Sequence, residues 1–169
     1  MNIAFIANGE SATYTKSGEF IDNCDIVVRL GLSVTEGYED FVGTKSSIYG
    51  TAKWKFIPKP HIPVLWMAED IDQEYDDELR AFLEYDKYSV TRNETFEKYR
   101  PTIGTRFLHK TMKEFENSNI YVKGFDFFLT GHYFNKNHRP GRYTRCSHPI
   151  FLEKIYYLKI LRAGKIHQI

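Results

Sequence analysis

Asn2-Ile-Ala-Phe-Ile-Ala-Asn8-Gly9-Glu10-Ser11 opens the chain with a short apolar run that stops at a polar, glycine-bearing loop. Ile3 to Ala7 form a nearly continuous apolar segment, the pattern of a strand covered on both faces in a parallel sheet. Asn8 and Gly9 favour turn conformations that present backbone N–H groups at the carboxyl edge of that sheet, and Ser11 is a candidate cap for the next element. In an open α/β sheet this edge is where nucleotides bind. The expected fold is therefore α/β: a single Rossmann-like domain over residues 1–169 with a mostly parallel sheet.

Composition agrees with that outline. A chain of 169 residues is long enough to bury a core without disulfides or metal. Aromatic residues make up 16% of it, which argues for a packed globule or a stacking pocket and against disorder. Cys24 and Cys146 form no CxxC pair, which suits a reducing cytoplasm, the expected location, and gives no zinc signature. There is no signal-peptide core and no apolar stretch of the ~18 residues that a membrane span needs. The net charge of +1 conceals an asymmetry. Residues 87–169 hold 16 Lys and Arg against 6 Asp and Glu, leaving 7 basic and 16 acidic residues in 1–86. One folded domain can interleave its halves, so this asymmetry fits ordinary solvated faces first and an anionic ligand on the C-terminal half second.

Along the chain, Gly18 to Cys24 reads as a short helix and Asp25 to Leu30 as a second strand, a β-loop-α-β start. Asp25 and Arg29 lie four apart on that strand, so they share a face on which an ion pair is expected. Pro58, Pro60 and Pro63 lead into a strand, Val64 to Met67, and Asp72 reads as the N-cap of a helix running to about Asp86. Thr102 is a helix cap before Ile103, Phe107, Leu108 and Phe115, which recur at helical spacing, and a strand from Asn119 to Val122 ends in Gly124-Phe-Asp126-Phe. A hydroxyl with free N–H groups at such a helix start makes an anion site for a phosphate or a sugar carboxylate. Pro149 suits a first helical position, which makes His148 the N-cap of a last helix with Ile150, Ile155, Leu158 and Leu161 inward and an end near Gly164. A neutral imidazole is favoured at a helix N-terminus, so His148 is a candidate general base. His132, His138, Cys146 and His148 have spacings that fit no standard zinc site.

Several of these stretches, in this order, resemble the sialylmotifs of glycosyltransferase family 29, the sialyltransferase-like enzymes. Asn8, Gly18, Ile21-Asp22-Asn-Cys-Asp25-Ile-Val27-Val-Arg29 and Val42-Gly43-Thr-Lys-Ser-Ser resemble the large motif. Pro101-Thr-Ile-Gly104-Thr to Gly124-Phe resembles the small one, His132-Tyr133-Phe134 the third, and His148-Pro149-Ile-Phe-Leu-Glu153 the last. Asn8-Gly9-Glu10 is closer to the Asn-Gly-x-Ser form of small bacterial relatives, and a phage type is equally in view. Gly31 stands where the family usually has a second nucleotide-contacting Asn, and Ile3 or Ala4 occupies the place of a motif cysteine. The resemblance implies a sialyltransferase-like variant of the GT-A fold and an inverting, metal-independent glycosyltransferase with no cofactor beyond its nucleotide-sugar donor, a CMP-sugar.

Carried onto this chain, the implied catalytic residues are His148, the base on the acceptor hydroxyl, and His132, which stabilises charge on the departing phosphate. The implied donor-binding residues are Asn8, Gly9, Ser11, Thr102, Gly104 and Tyr133. Asp70-Ile-Asp72 is similar to a metal-binding acidic motif of other sugar transferases; helix capping is the better account, because the family resembled is metal-independent. Glu153 lies roughly 140° round a helix from His148 and has a helix-stabilising or supporting role. Lys136, Arg139, Arg142 and Arg145 form a basic loop for the acceptor or for phosphates. The expected acceptor is a glycan; the alternatives are hydroxymethylated bases in DNA, with Tyr143 stacking on an exposed base, and a non-catalytic nucleotide-binding or nucleic-acid-binding module.

Overall fold

The opening apolar run is strand β1 (Asn2–Ile6) in a computed structural model that describes residues 1–31, 33–51, 64–67, 101–127, 129–135 and 150–169. A single turn of 3-10 helix, Glu10–Thr13, follows, then α1 (Gly18–Asp22), β2 (Ile26–Leu30), α2 (Glu39–Val42), β3 (Ile48–Thr51) and β4 (Val64–Met67). The C-terminal part supplies α3 (Ile103–Glu114), β5 (Asn119–Lys123), α4 (Ile150–Arg162) and β6 (His167–Gln168). The strands form one sheet in the order β4-β3-β2-β1-β5-β6, and every pairing among them is parallel. The expected α/β, Rossmann-like architecture is therefore present. The helix expected over Asp72 to Asp86 lies outside the described residues. Strand β3, missed in the sequence, follows two serines and contains Gly50, which mask its short apolar core.

Alternation along β1 divides the core into two layers. Ile3, Phe5 and Ala7 face α3 and α4 and pack with Val28, Leu30, Phe107, Leu108, Tyr157 and Ile160. Ala4 and Ile6 face the other way, against Ile21, Val27 and Val42 around α1 and α2. The chain winds outward from β1 to β4, then returns to place β5 on the far side of β1. The reversal of strand order thus falls at β1 and β5, and the crevice at their carboxyl ends is where an open α/β sheet takes a ligand.

The stretch resembling the large motif serves as a latch between α1 and α2. The Asp22 carboxylate accepts from Thr44 N at 2.8 Å, Thr44 Oγ1 at 3.0 Å and Lys45 N at 2.8 Å. Gly43 turns there with φ +66°, and a Cβ on Gly18 would lie 1.9 Å from the Glu39 carbonyl oxygen, so two glycines let the helices meet. Arg29 is 1% exposed and donates to the Val42 and Lys45 carbonyls at 2.7 and 2.8 Å, while Asp25 accepts from Asn2 N at 2.7 Å. The expected Asp25–Arg29 pair is replaced by these bonds, because Asp25 precedes the strand and Arg29 reaches into the α2–β3 turn. Burial pulls the Arg29 guanidinium below its ordinary pKa.

The last helix corrects the sequence reading. Its buried residues are Leu152, Glu153, Tyr156, Tyr157 and Ile160, whereas Leu158 is 39% exposed and Ile150, Ile155 and Leu161 are partly buried. Ile155 and Leu161 pack against the core from its edge, Leu158 faces solvent, and counting aliphatics alone missed Glu153 and the two tyrosines at the centre of the buried face. Tyr157 stacks on Phe125 at a centroid distance of 5.4 Å, and the Tyr156 hydroxyl meets His109 Nδ1 at 2.7 Å, so tyrosines supply much of the buried stripe. Gly164 ends the helix as expected, with φ +67° and Lys165 N donating to the Ile160 carbonyl at 3.0 Å.

Candidate active site

Four separate stretches meet in a cavity of about 250 Å³ at the carboxyl edge of β1 and β5. Asn8 and Gly9 come from the loop after β1, Thr102 and Gly104 from the start of α3, His132 from the segment after β5, and Glu153 from the first turn of α4. Gly31 and Thr51 close the side beneath β2 and β3. Five of the expected site residues, Asn8, Gly9, Thr102, Gly104 and His132, are thereby brought together.

The Asn8-Gly9 loop is held from several sides. Gly9 N donates to the Gly124 carbonyl at 2.9 Å, Tyr133 N to the Asn8 carbonyl at 3.1 Å, and Asn8 Nδ2 to the Leu30 carbonyl at 2.7 Å. That leaves Asn8 Oδ1 buried without a hydrogen-bond partner beside the cavity, an acceptor for a donor group on a ligand. Gly31 has φ +58° and a Cβ there would approach Asn8 Nδ2 to 3.3 Å, so the glycine leaves open the space next to Asn8. A Cβ on Gly9 would lie 2.5 Å from Asp126 Cγ and 2.6 Å from the Gly124 carbonyl oxygen, which requires glycine at that position.

Asp126, quoted in the sequence only as part of a strand end, organises this loop. Its carboxylate accepts from Ser11 N at 2.9 Å, from Ser11 Oγ and from Thr130 Oγ1, and Thr130 Oγ1 accepts in turn from Glu10 N at 3.1 Å. Ser11, expected to touch the donor, is inside this network rather than in the cavity wall. The signal that marks Asp126 is its place just beyond a parallel strand at the ligand edge. Phe127 next to it has φ +51°, a strained setting for a bulky residue, and its ring meets Tyr157 edge-on at 5.3 Å.

His132 and Tyr133 separate to opposite sides. His132 bridges Gly9 and lines the cavity, while Tyr133 is 5% exposed and packs in the α1–α2 layer. The Tyr133 hydroxyl donates to the Val34 carbonyl at 2.5 Å, Tyr38 donates to the Tyr133 carbonyl at 3.2 Å, and burial raises the phenol's pKa. Tyr133 thus anchors the segment under the cavity, inside a turn that Asn135 N closes onto the His132 carbonyl at 2.9 Å.

The start of α3 differs from the expected open anion site. Thr102 caps the helix, its Oγ1 accepting from Thr105 N at 3.3 Å. Glu153, 1% exposed, accepts from Thr102 N at 2.9 Å, from Thr102 Oγ1 at 2.6 Å and from Thr105 Oγ1. A carboxylate of the protein therefore already answers the positive end of this helix, and it joins the first turn of α4 to the first turn of α3. Among the described residues the cavity wall holds two carboxylates, Asp126 and Glu153, and no lysine or arginine. His148, Lys136, Arg139, Arg142 and Arg145 lie outside the described residues, as do Asp70, Asp72 and Tyr143.

Comparisons with known proteins bear on this geometry. Residues 3–62 match the model of glycosyltransferase family 29 (sialyltransferase). The chain is 45% identical over 47 residues to an alpha-N-acetylgalactosaminide alpha-2,6-sialyltransferase 2 of Mus musculus, a stretch that spans 28% of this chain and 13% of that protein. Among solved structures, a mammalian sialyltransferase superposes with a TM-score of 0.64 at 16% identity, covering 99% of this chain and 68% of that one. A mammalian sialyltransferase in complex with Gal-beta-1-3GalNAc-ortho-nitrophenol does so with a TM-score of 0.62 at 15% identity and the same coverage. No helix among the described residues is long and apolar enough to cross a membrane. The N-terminal third of the chain is thus similar in sequence to glycosyltransferase family 29, and the chain over nearly its whole length shares its fold with solved sialyltransferases.

Proposed function

We propose that this protein is an inverting, metal-independent glycosyltransferase that moves a sugar from a nucleotide-sugar donor, a CMP-sugar by resemblance, to a hydroxyl of a glycan acceptor. The observation that carries this reading is the convergence of all four motif-like stretches on one cavity at the strand-order reversal. Separate stretches drawn from over 140 residues of sequence do not meet by local folding; they meet because the parallel sheet brings its loops to one edge.

In this reading the Asn8-Gly9 loop and His132 hold the donor, Asn8 Oδ1 accepting from it, and Thr102 and Gly104 form the wall opposite. Because Glu153 occupies the head of α3, the positive charge for the donor phosphate is assigned to Lys136, Arg139, Arg142 and Arg145. His148 removes the proton of the acceptor hydroxyl, which attacks the anomeric carbon from the face opposite the nucleotide. The departing phosphate takes the charge, and His132 stabilises it there.

The test is a thermal-shift series with CMP-, UDP- and GDP-sugars, followed by transfer assays in EDTA with the sugar that binds. A ligand that binds only the native state raises Tm, by about 2.7 kcal/mol of added stability at a hundred times its Kd. A shift with CMP-sugars and turnover in EDTA support the proposal. Absence of any shift across the series, or turnover restored to an EDTA-treated sample by manganese alone, refutes it.

A further inference from the structure

The rotation of α4 that turns Glu153 and Tyr157 inward sends a different set of side chains to solvent. Phe151 is 65% exposed and Leu158 39%, and Lys154, Arg162 and Lys165 are exposed with them. At 3.6 residues per turn Phe151, Leu158 and Arg162 fall within about 40° of one line down the helix, with Lys154 about 60° to one side. Lys165 follows directly after the helix end at Gly164. Glu153 is the one acidic side chain between residues 150 and 169, and it is buried, so the charge this face presents is entirely positive.

Duplex nucleic acid would reward the lysines and arginine but gain nothing from Phe151 or Leu158. An anionic bilayer rewards both. Its headgroups attract Lys and Arg, and the boundary between headgroups and acyl chains takes Phe and Leu out of water. We propose that the exposed face of α4 docks the protein on an anionic lipid surface, with Phe151 and Leu158 entering that boundary and Lys154, Arg162 and Lys165 meeting the lipid phosphates. Ile150 and Glu153, on the first turn of the same helix, line the cavity from its inward side, so docking by the outward face holds the cavity within a helix diameter, roughly 10 Å, of the lipid surface. If the transferase reading holds, the acceptor glycan is then one carried on a lipid, which is the only part of this inference that rests on that reading.

The experiment is co-sedimentation of the full chain with vesicles of phosphatidylcholine alone and of phosphatidylcholine mixed with phosphatidylglycerol. Binding is expected to the anionic vesicles and to weaken with salt. Lys154→Gln, Arg162→Gln and Lys165→Gln each lower the partition coefficient by about fivefold at low salt. Phe151→Gln and Leu158→Gln lower it by about tenfold at low and high salt alike. Phe151→Trp provides a second readout, with its fluorescence quenched by lipids brominated in the acyl chain. No binding to anionic vesicles, equal binding to phosphatidylcholine alone, or an unquenched tryptophan overturns the proposal. So does binding to duplex DNA that falls with the basic substitutions and ignores the apolar ones. The assay contains no sugar nucleotide, so its failure leaves the transferase reading intact, and failure of the transferase reading leaves the docking measurable.

Discussion

Replacing Glu153 by Ala should cost the protein about 2–4 kcal/mol of stability, the sum of an unsatisfied buried donor and the loss of packing and of the anion at a helix head. The carboxylate is 1% exposed and accepts three hydrogen bonds, from Thr102 N, Thr102 Oγ1 and Thr105 Oγ1. The two hydroxyls already lie 3.2 Å apart and can turn toward each other, so part of the loss is recovered. Thr102 N cannot turn, and an unsatisfied buried donor costs about 1–3 kcal/mol. The emptied space and the lost anion at the head of α3 add about 1 kcal/mol or more. Glu153→Gln keeps the shape and one acceptor oxygen but presents an amide to hydroxyls that must reverse, so about half the cost is expected. Urea denaturation at neutral pH measures both, with the midpoint falling and the slope unchanged. For a chain of this size the alanine variant should melt about 10 °C lower. An Ala variant within about 0.5 kcal/mol of the parent, the spread of an ordinary surface substitution, would show that Glu153 does not hold α3 to α4.

His148→Ala should lower turnover by about 10²–10⁴ while donor affinity stays near that of the parent, because the base acts on the acceptor; equal turnover removes His148 from the mechanism. Gly9→Ala should weaken nucleotide-sugar binding by about tenfold or more, since its Cβ would press on Asp126 and the Gly124 carbonyl and the loop must move; isothermal titration with unchanged affinity would contradict the described loop. Alkaline unfolding should carry a contribution from Tyr49, whose phenol burial pushes its pKa up to about 12 from an ordinary value of 10. Because the folded-state pKa is the higher one, that contribution is complete below pH about 10 and is lost as pH rises toward about 12, on the order of 3 kcal/mol in all. A Tyr49→Phe variant should therefore lose stability less steeply over that interval, and identical slopes in pH-dependent melts would refute the assignment.

Local pattern was enough to reveal β1, β4, α3 and β5 in the sequence. An apolar run between turn formers has few alternatives in a sheet covered on both faces, and Thr102 before a helical repeat fills its own N-terminal cap through a bond only three residues long. The carboxyl edge of β1 as the ligand site was legible for a related reason: once the sheet is parallel, its loops have one edge on which to gather. Asn8, Gly9, Thr102, Gly104 and His132 were found on that basis together with the resemblance.

The remaining features depend on contacts that no local period encodes. Glu153 takes the head of α3 across 51 residues, and Asp126 takes Ser11 across 115. Asp126 reads in the sequence as part of a strand end and Glu153 as a supporting residue of its own helix, and neither reading names its partners, because a buried ion is recognised by the donors around it and those come from distant segments. The inward face of α4 was decided the same way: isoleucines and leucines outnumber tyrosines along the helix, yet Glu153 must reach Thr102 and Tyr157 must stack on Phe125, and those two contacts set its rotation. Sequence alone determined which segments could be strands and helices and which edge they share; tertiary structure decided which charged groups are spent on holding the site together, because only packing brings their partners within a hydrogen bond's reach.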